Sequence, residues 1–135
     1  MVTLTKTLKS EFDFDKSDIK EVRLNMIKET DFEINDYRFI HSDCIDEVLK
    51  DELESDEYIL GSFRAWFIAD ILDLDIEVIE MMQECNGYEA LGKMLVKHID
   101  EVAEQYIRHD GYGHHFGHYD GDEHEINDWY FFRVN

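Results

Sequence analysis

The sequence predicts an α+β fold in which a helical middle of four to five helices lies between β elements at the two ends. Apolar residues in the middle of the chain recur every three or four positions, which is typical of amphipathic helices. Two segments, near residues 32–40 and 114–133, carry an Asn-Asp pair between apolar and aromatic residues, which indicates β-hairpins. With 135 residues and 44% apolar composition the chain can bury one core, so we expect a single domain over residues 1–135.

The N-terminal segment is predicted to be a strand, because its apolar residues all occupy even positions. These residues are Val2, Leu4, Leu8, Phe12 and Phe14. Ser17 or Asp18 can cap a helix that follows. Its apolar residues recur at spacings of three and four: Ile19, Val22 and Met26. Residues 22, 24 and 26 also alternate, so a second strand is the alternative here.

The two hairpin segments share the four letters EIND. Glu33 to Asp36 and Glu125 to Asp128 have this same sequence, and an aromatic residue follows each. Asn and Asp tolerate the positive φ that a two-residue hairpin turn requires. We therefore expect two hairpins of similar turn geometry, and a chance match in a chain rich in these residue types is the alternative.

The helices of the middle are delimited by polar caps and short breaks. The predicted N-caps are Ser42 or Asp43, Ser55 or Asp56, and Asp75. The residues LDLD break the helical pattern before Asp75, and Cys85 to Gly87 break it again. Beyond that break the apolar period continues to Ile107, which predicts further helix.

Charge is the unusual feature of the composition. The chain has 33 Asp and Glu against 13 Lys and Arg, which gives a net charge of −20. This charge disfavours direct binding to nucleic acid or to an anionic membrane. No apolar stretch has the length of a membrane span or of a signal peptide core, and Cys44 and Cys85 have no metal or redox spacing. We therefore expect a protein of the reducing cytoplasm.

The segment ADILDLDIEVIEMM has the outline of a helix-turn-helix. A DNA-binding version requires cationic side chains on its second helix. Residues 65 to 92 contain no Lys or Arg. DNA binding is therefore excluded for this segment, and we interpret it as an ordinary helical corner whose acidic face is suited to a basic partner.

The C-terminal segment RHDGYGHHFGHYDGDEHE concentrates five of the seven histidines among carboxylates. Imidazole and carboxylate groups are suitable ligands for a divalent transition metal such as zinc. The candidate ligands are His109, His114, His115, His118, Asp120 and His124. No recognised metalloenzyme motif accompanies them. We therefore expect histidines that only hydrogen-bond within a turn-rich β segment, with no cofactor and no catalytic residues, and a metal site is the alternative.

Two segments carry most of the acidic residues of the helical middle. Eight acids and one lysine lie between Asp43 and Glu57, and seven acids and no basic residue lie between Ala65 and Gly92. The candidate partner-binding residues are Asp43, Asp46, Glu47, Asp51, Glu52, Glu54, Asp70, Asp73, Asp75, Glu77, Glu80 and Glu84. A compact chain of this length has a diameter of roughly 37 Å, and a DNA duplex of that length carries about 20 phosphate charges. The net charge of the protein matches that of such a duplex.

In size, charge and carboxylate-rich helices such as DCIDEVLKDELESDE and ADILDLDIEVIEMMQE, the chain resembles the small acidic proteins of phages and mobile elements that mimic DNA. The resemblance implies an inhibitor or adaptor, of anti-CRISPR or anti-restriction type, that occupies a basic nucleic-acid-binding surface of a partner in the host cytoplasm. Two alternatives stay open. One is a small metal-binding protein, or a hydrolase, that uses the C-terminal His/Asp cluster. The other is acidity that only confers solubility.

Overall fold

A computed structural model of the chain describes residues 4–135, and its fold is α+β, as predicted. Over these residues it has eight helices and one four-stranded antiparallel sheet, so the helices outnumber the predicted four to five. In chain order the elements are α1 (Leu4–Glu11), α2 (Lys16–Lys28), β1 (Asp31–Ile34), β2 (Tyr37–His41), α3 (Ile45–Glu54), α4 (Glu57–Gly61), α5 (Ala65–Leu72), α6 (Ile76–Glu84), α7 (Tyr88–Val96), α8 (Ile99–Phe116), β3 (His124–Ile126) and β4 (Trp129–Arg133).

The contacts of the chain cluster in two compact units. The first takes its described residues from Met1–Ile45 and Asp110–Asn135, and the second comprises Asp46–His109. The first unit contains the sheet with α1 and α2, and the second contains α4 to α7 with most of α3 and α8. A single domain over residues 1–135 stays a prediction.

The predicted N-terminal strand is wrong for the residues that the structure describes, because residues Leu4–Glu11 form α1. Leu4 and Leu8 are four positions apart, and this spacing suits one face of a helix as well as one face of a strand. Leu8 is fully buried in the core of the first unit, with Leu4 packed beside it. Val2 lies outside the described residues.

The next helix, α2, is confirmed, but its cap is Asp15 rather than Ser17 or Asp18. The Asp15 carboxylate accepts a hydrogen bond from the Asp18 backbone N–H at 2.8 Å. The Asp18 carboxylate in turn accepts one from the Asp15 backbone N–H at 3.2 Å. This reciprocal capping box fixes the start of α2 and turns Ile19 and Val22 into the core.

Two hairpins build the sheet, whose strand order is β1-β2-β4-β3. Antiparallel pairing of β2 with β4 joins the hairpins and places Phe39 opposite Phe131. The rings of these two residues stack with centroids 5.4 Å apart, and Phe32 stacks on the other side of Phe39 at 5.1 Å. The aromatic residues that flank the EIND segments therefore form a large part of the core of the first unit.

The second hairpin begins at residue 124, so the prediction that it begins near residue 114 is wrong. Residues 114–116 belong instead to α8, which Gly111 interrupts with a φ of 75° and a ψ of 170°. A side chain at Gly113 would collide with the backbone carbonyl of Gly121. The glycines here permit close backbone packing within the first unit, which the sequence pattern does not distinguish from a loop.

In the second unit, α4 and α7 pack backbone to backbone. Gly61 faces the carbonyl of Tyr88, and Gly92 faces the carbonyl of Glu57, with no space for a Cβ at either position. The Gln83 side chain of α6 donates hydrogen bonds to the carbonyls of Gly61 and Phe63, at 3.0 and 2.9 Å. These contacts hold α6 against the segment that joins α4 and α5.

Candidate acidic interaction surface

The structure places nearly all of the predicted partner-binding residues in solvent. Eleven of the twelve are exposed, and Glu52 is half-buried. Asp43 belongs to the first unit and the other eleven belong to the second. The second unit contains 17 Asp and Glu and five Lys and Arg in residues 46–109, so it carries most of the negative charge of the protein.

The acidic face of α3 follows from the spacing of its apolar residues. Ile45, Leu49 and Leu53 recur every four positions and are all almost completely buried. Since they occupy one side of the helix, the carboxylates between them point to solvent. The exposed acids of this face are Asp46, Glu47, Asp51 and Glu54.

Lys50 is the basic residue of this face, and two carboxylates engage it. Its ammonium group lies 3.0 Å from a carboxylate oxygen of Asp100 and 3.3 Å from one of Glu47. The hydrogen bonds to Asp100 and then to Glu47 raise the pKa of Lys50. The positive charge of Lys50 therefore offsets part of the negative charge near Glu47 and Asp100.

The predicted helical corner between α5 and α6 is confirmed. Asp73 ends α5 in the left-handed conformation, with φ 54° and ψ 48°, and its backbone N–H donates to the carbonyl of Ala69. Asp75 precedes α6 in an extended conformation, as its predicted capping position requires, although its side chain makes no capping hydrogen bond. The corner projects Asp73, Asp75 and Glu77 into solvent.

The exposure of several apolar residues of α6 was not predicted from the sequence. Ile79 is the buried residue of this helix, whereas Ile76 is 42% exposed although the sequence pattern places it on the same stripe. Val78 and Met81 are 38% and 57% exposed, and Leu74, just before the helix, is 40% exposed. Val78 and Met81 are one and two positions from Ile79, so they do not share its side of the helix. This spacing is the sequence feature that indicates their exposure.

The predicted metal ligands lie in different surroundings. His109 belongs to the second unit, where its ring packs edge-on against Trp66 with centroids 5.3 Å apart. His124 stacks on Phe131 at 5.1 Å, and His115 packs against Phe116 at 4.7 Å. His114, His118 and Asp120 are exposed. Within residues 4–135, no group of three or more His, Cys, Asp or Glu side chains is arranged to hold a metal ion.

Comparisons with protein-family models, with curated proteins and with solved structures gave no match to this chain. A search of the helices in the described part of the chain found none with both the length and the apolar character of a membrane span.

Proposed function

We propose that this protein is an acidic interaction domain that occupies a basic, normally nucleic-acid-binding surface of a partner protein. It would act in the cytoplasm as an inhibitor or adaptor, in the manner of the DNA-mimicking proteins of phages and mobile elements. The observation that carries the proposal is the exposure of eleven of the twelve candidate carboxylates. Six of these twelve residues lie between residues 65 and 92, a segment that itself contains no Lys or Arg.

Electrostatics explains how such a surface competes with a duplex. Exposed carboxylates on α3, on the α5–α6 corner and on α6 present negative charge to a cationic groove, as phosphates do. Their long-range field accelerates the encounter with a basic partner, and it is screened beyond roughly 10 Å at 0.1 M salt. Binding driven by charge should therefore weaken steeply as salt rises, and mainly through slower association.

The test begins with capture of partners from a host lysate at low salt and their identification. Each captured protein is then titrated with the acidic protein in the presence of a labelled duplex. The proposal requires that the duplex and the acidic protein displace one another, with an affinity that falls steeply with salt. Captured proteins without a nucleic-acid-binding surface, or without mutual displacement, would contradict it.

A charge-reversed variant locates the binding face. Its substitutions are Asp46→Lys, Glu47→Lys, Asp51→Lys and Glu54→Lys, all at exposed positions of α3. A matched control reverses four exposed acids of the first unit: Glu11→Lys, Glu21→Lys, Glu29→Lys and Glu125→Lys. Both variants have the same net charge, so only the first should lose partner binding if the face on α3 is responsible. Equal binding by both would exclude the face on α3, and equal binding together with failure of the duplex to compete would indicate that the acidity serves solvation.

A further inference from the structure

The exposed side of α6 combines apolar and acidic side chains. Val78 and Met81 are three positions apart, so their side chains are neighbours on the helix surface. Glu77 and Glu84 are four and three positions from Met81 and so are its neighbours on the helix surface, Glu80 lies further round the helix, and all three are exposed. We define the α6 face as these five residues. Val78 is 38% exposed and Met81 is 57% exposed, so this side of the helix keeps two neighbouring apolar side chains in solvent.

Exposed Val and Met side chains are uncharged, so they contribute nothing to the imitation of phosphate groups. Their exposure keeps apolar area in water, and a partner that covers them gains free energy in proportion to the area buried. Methionine is also a flexible side chain that adapts to different apolar partners. The α6 face is therefore suited to a partner that supplies apolar groups as well as positive charge.

We infer that the occupant of the α6 face is a cationic amphipathic helix of the partner protein. An apolar stripe on such a helix would cover Val78 and Met81, and Lys or Arg side chains beside the stripe would pair with Glu77 and Glu84, while Glu80 adds to the negative charge nearby. Charge complementarity favours this occupant, since the sequence from residue 65 to 92 offers only negative charge. This inference rests on the proposed function, whose basic partner it specifies.

The size of the face sets the strength of the interaction. α6 has nine residues, which corresponds to a length of about 13 Å and to contact with roughly three turns of a partner helix. A contact of this length buries less area than a stable protein–protein interface, so the isolated helix should bind weakly.

The test uses two synthetic, fluorescently labelled peptides of 14 residues with identical Leu and Lys composition. In one the leucines follow helical spacing and form a stripe, and in the other the same residues are scrambled. Anisotropy titrations with the full chain at about 0.3 M salt suppress the purely electrostatic contribution. The striped peptide should bind about tenfold more tightly than the scrambled peptide, since both have the same charge.

Two double variants test whether the preference for the striped peptide depends on the α6 face. Val78→Ser with Met81→Ser should remove the tenfold preference for the striped peptide and leave binding of the scrambled peptide unchanged. Tyr58→Ser with Ile59→Ser is the matched control, because these residues of α4 are exposed to a similar extent, 55% and 50%. The control should keep the preference. Circular dichroism verifies the fold, and Met81→Gln alone serves if the double variant unfolds.

The outcomes separate this inference from the proposed function. Equal binding of the two peptides, with steep weakening by salt, would overturn the amphipathic helix and leave the charge-driven proposal standing. Equal loss of preference in both double variants would show general adhesion of the peptide and would also overturn the inference. Absence of binding by either peptide even at low salt would overturn this inference, whereas the proposed function is decided by the competition with a duplex.

Discussion

Gly92 of α7 lies directly against the backbone of Glu57 in α4, with no room for a side chain between the two helices. Gly92→Ala should therefore destabilise the protein by about 1–3 kcal/mol, although alanine is the better helix former in isolation. Chemical denaturation measures the change. Glu89→Ala, at an exposed position of the same helix, is the control and should stay within about 0.5 kcal/mol of the parent. A neutral Gly92→Ala would mean that α4 and α7 are less closely packed.

The two EIND turns differ in a way that substitution can detect. Asn35 and Asp36 both have positive φ, 51° and 67°, whereas in the second turn only Asn127 does, with φ 47°. Asp36→Gly should be neutral or stabilising by up to about 1 kcal/mol, because glycine adopts positive φ without strain.

The second turn should respond differently, because the expectation from sequence that the two hairpins have similar turn geometry is wrong at Asp128, whose φ is not positive. Asp128→Gly should lower stability by about 0.5–1 kcal/mol, because glycine gains nothing there and loses more conformational entropy on folding. Melting curves of the two single variants test the difference. Opposite effects, with Asp128→Gly the more stable, would contradict the described turn geometry.

Elements whose sequence pattern has one physical interpretation were predictable. The EIND hairpins and the helix from Ile45 to Leu53 have a period and turn residues that agree with each other. The predictions of strand at Leu4–Glu11 and at residues 114–116 were wrong, because both segments are helical. A spacing of four fits both helix and strand, and glycine marks close backbone packing as well as loops. In both places tertiary contacts, which one sequence does not reveal, select the conformation.

The candidate surface was also predictable only in part. Exposure of the carboxylates was predictable because charged groups are costly to bury. Exposure of Met81 and Val78 was less predictable, since apolar residues on a helix are ordinarily assigned to the core. Which apolar residues a short helix buries depends on its orientation, and contacts such as those of Gln83 with Gly61 and Phe63 fix that of α6.

Tyr37 should make stability depend on alkaline pH. Its burial raises the pKa of the phenol above the ordinary value of 10.0, Asp120 and Asp36 contribute in the same direction, and Arg133 opposes them. The folded state thus holds the phenolic proton more tightly than the unfolded state does. The associated stability is present below pH 10 and is lost as pH rises through the folded-state pKa. Tyr37→Phe should flatten this decline in urea titrations between about pH 9 and 11, and an unchanged decline would exclude Tyr37 as its source.

Metal binding by the histidine segment can be tested directly. Because His109 packs on Trp66 while His124 packs on Phe131, we expect neither chelator nor added zinc to change the melting temperature at pH 7.5. The measurement uses untagged protein, with its metal content determined as purified. A zinc-dependent rise that disappears below pH 6, where imidazole is protonated, would instead support the metal-binding alternative.

The acidic residues of α6 should cost stability, and this separates functional acidity from acidity that only aids solubility. Glu77 and Glu80 are three positions apart, Glu80 and Glu84 are four apart, and like charges at these spacings repel one another by about 0.2–0.5 kcal/mol per pair. Glu84 also lies in the last turn, where the helix dipole disfavours an anion. Replacing Glu80 with Gln removes both repulsions, so Glu80→Gln should raise the melting temperature at low salt, and added salt should reduce that gain. If the α6 face binds a basic partner, the same variant should bind that partner less tightly. A more stable variant with unchanged partner binding would show that this carboxylate serves only hydration, whereas greater stability with weaker binding is expected of a surface maintained for recognition.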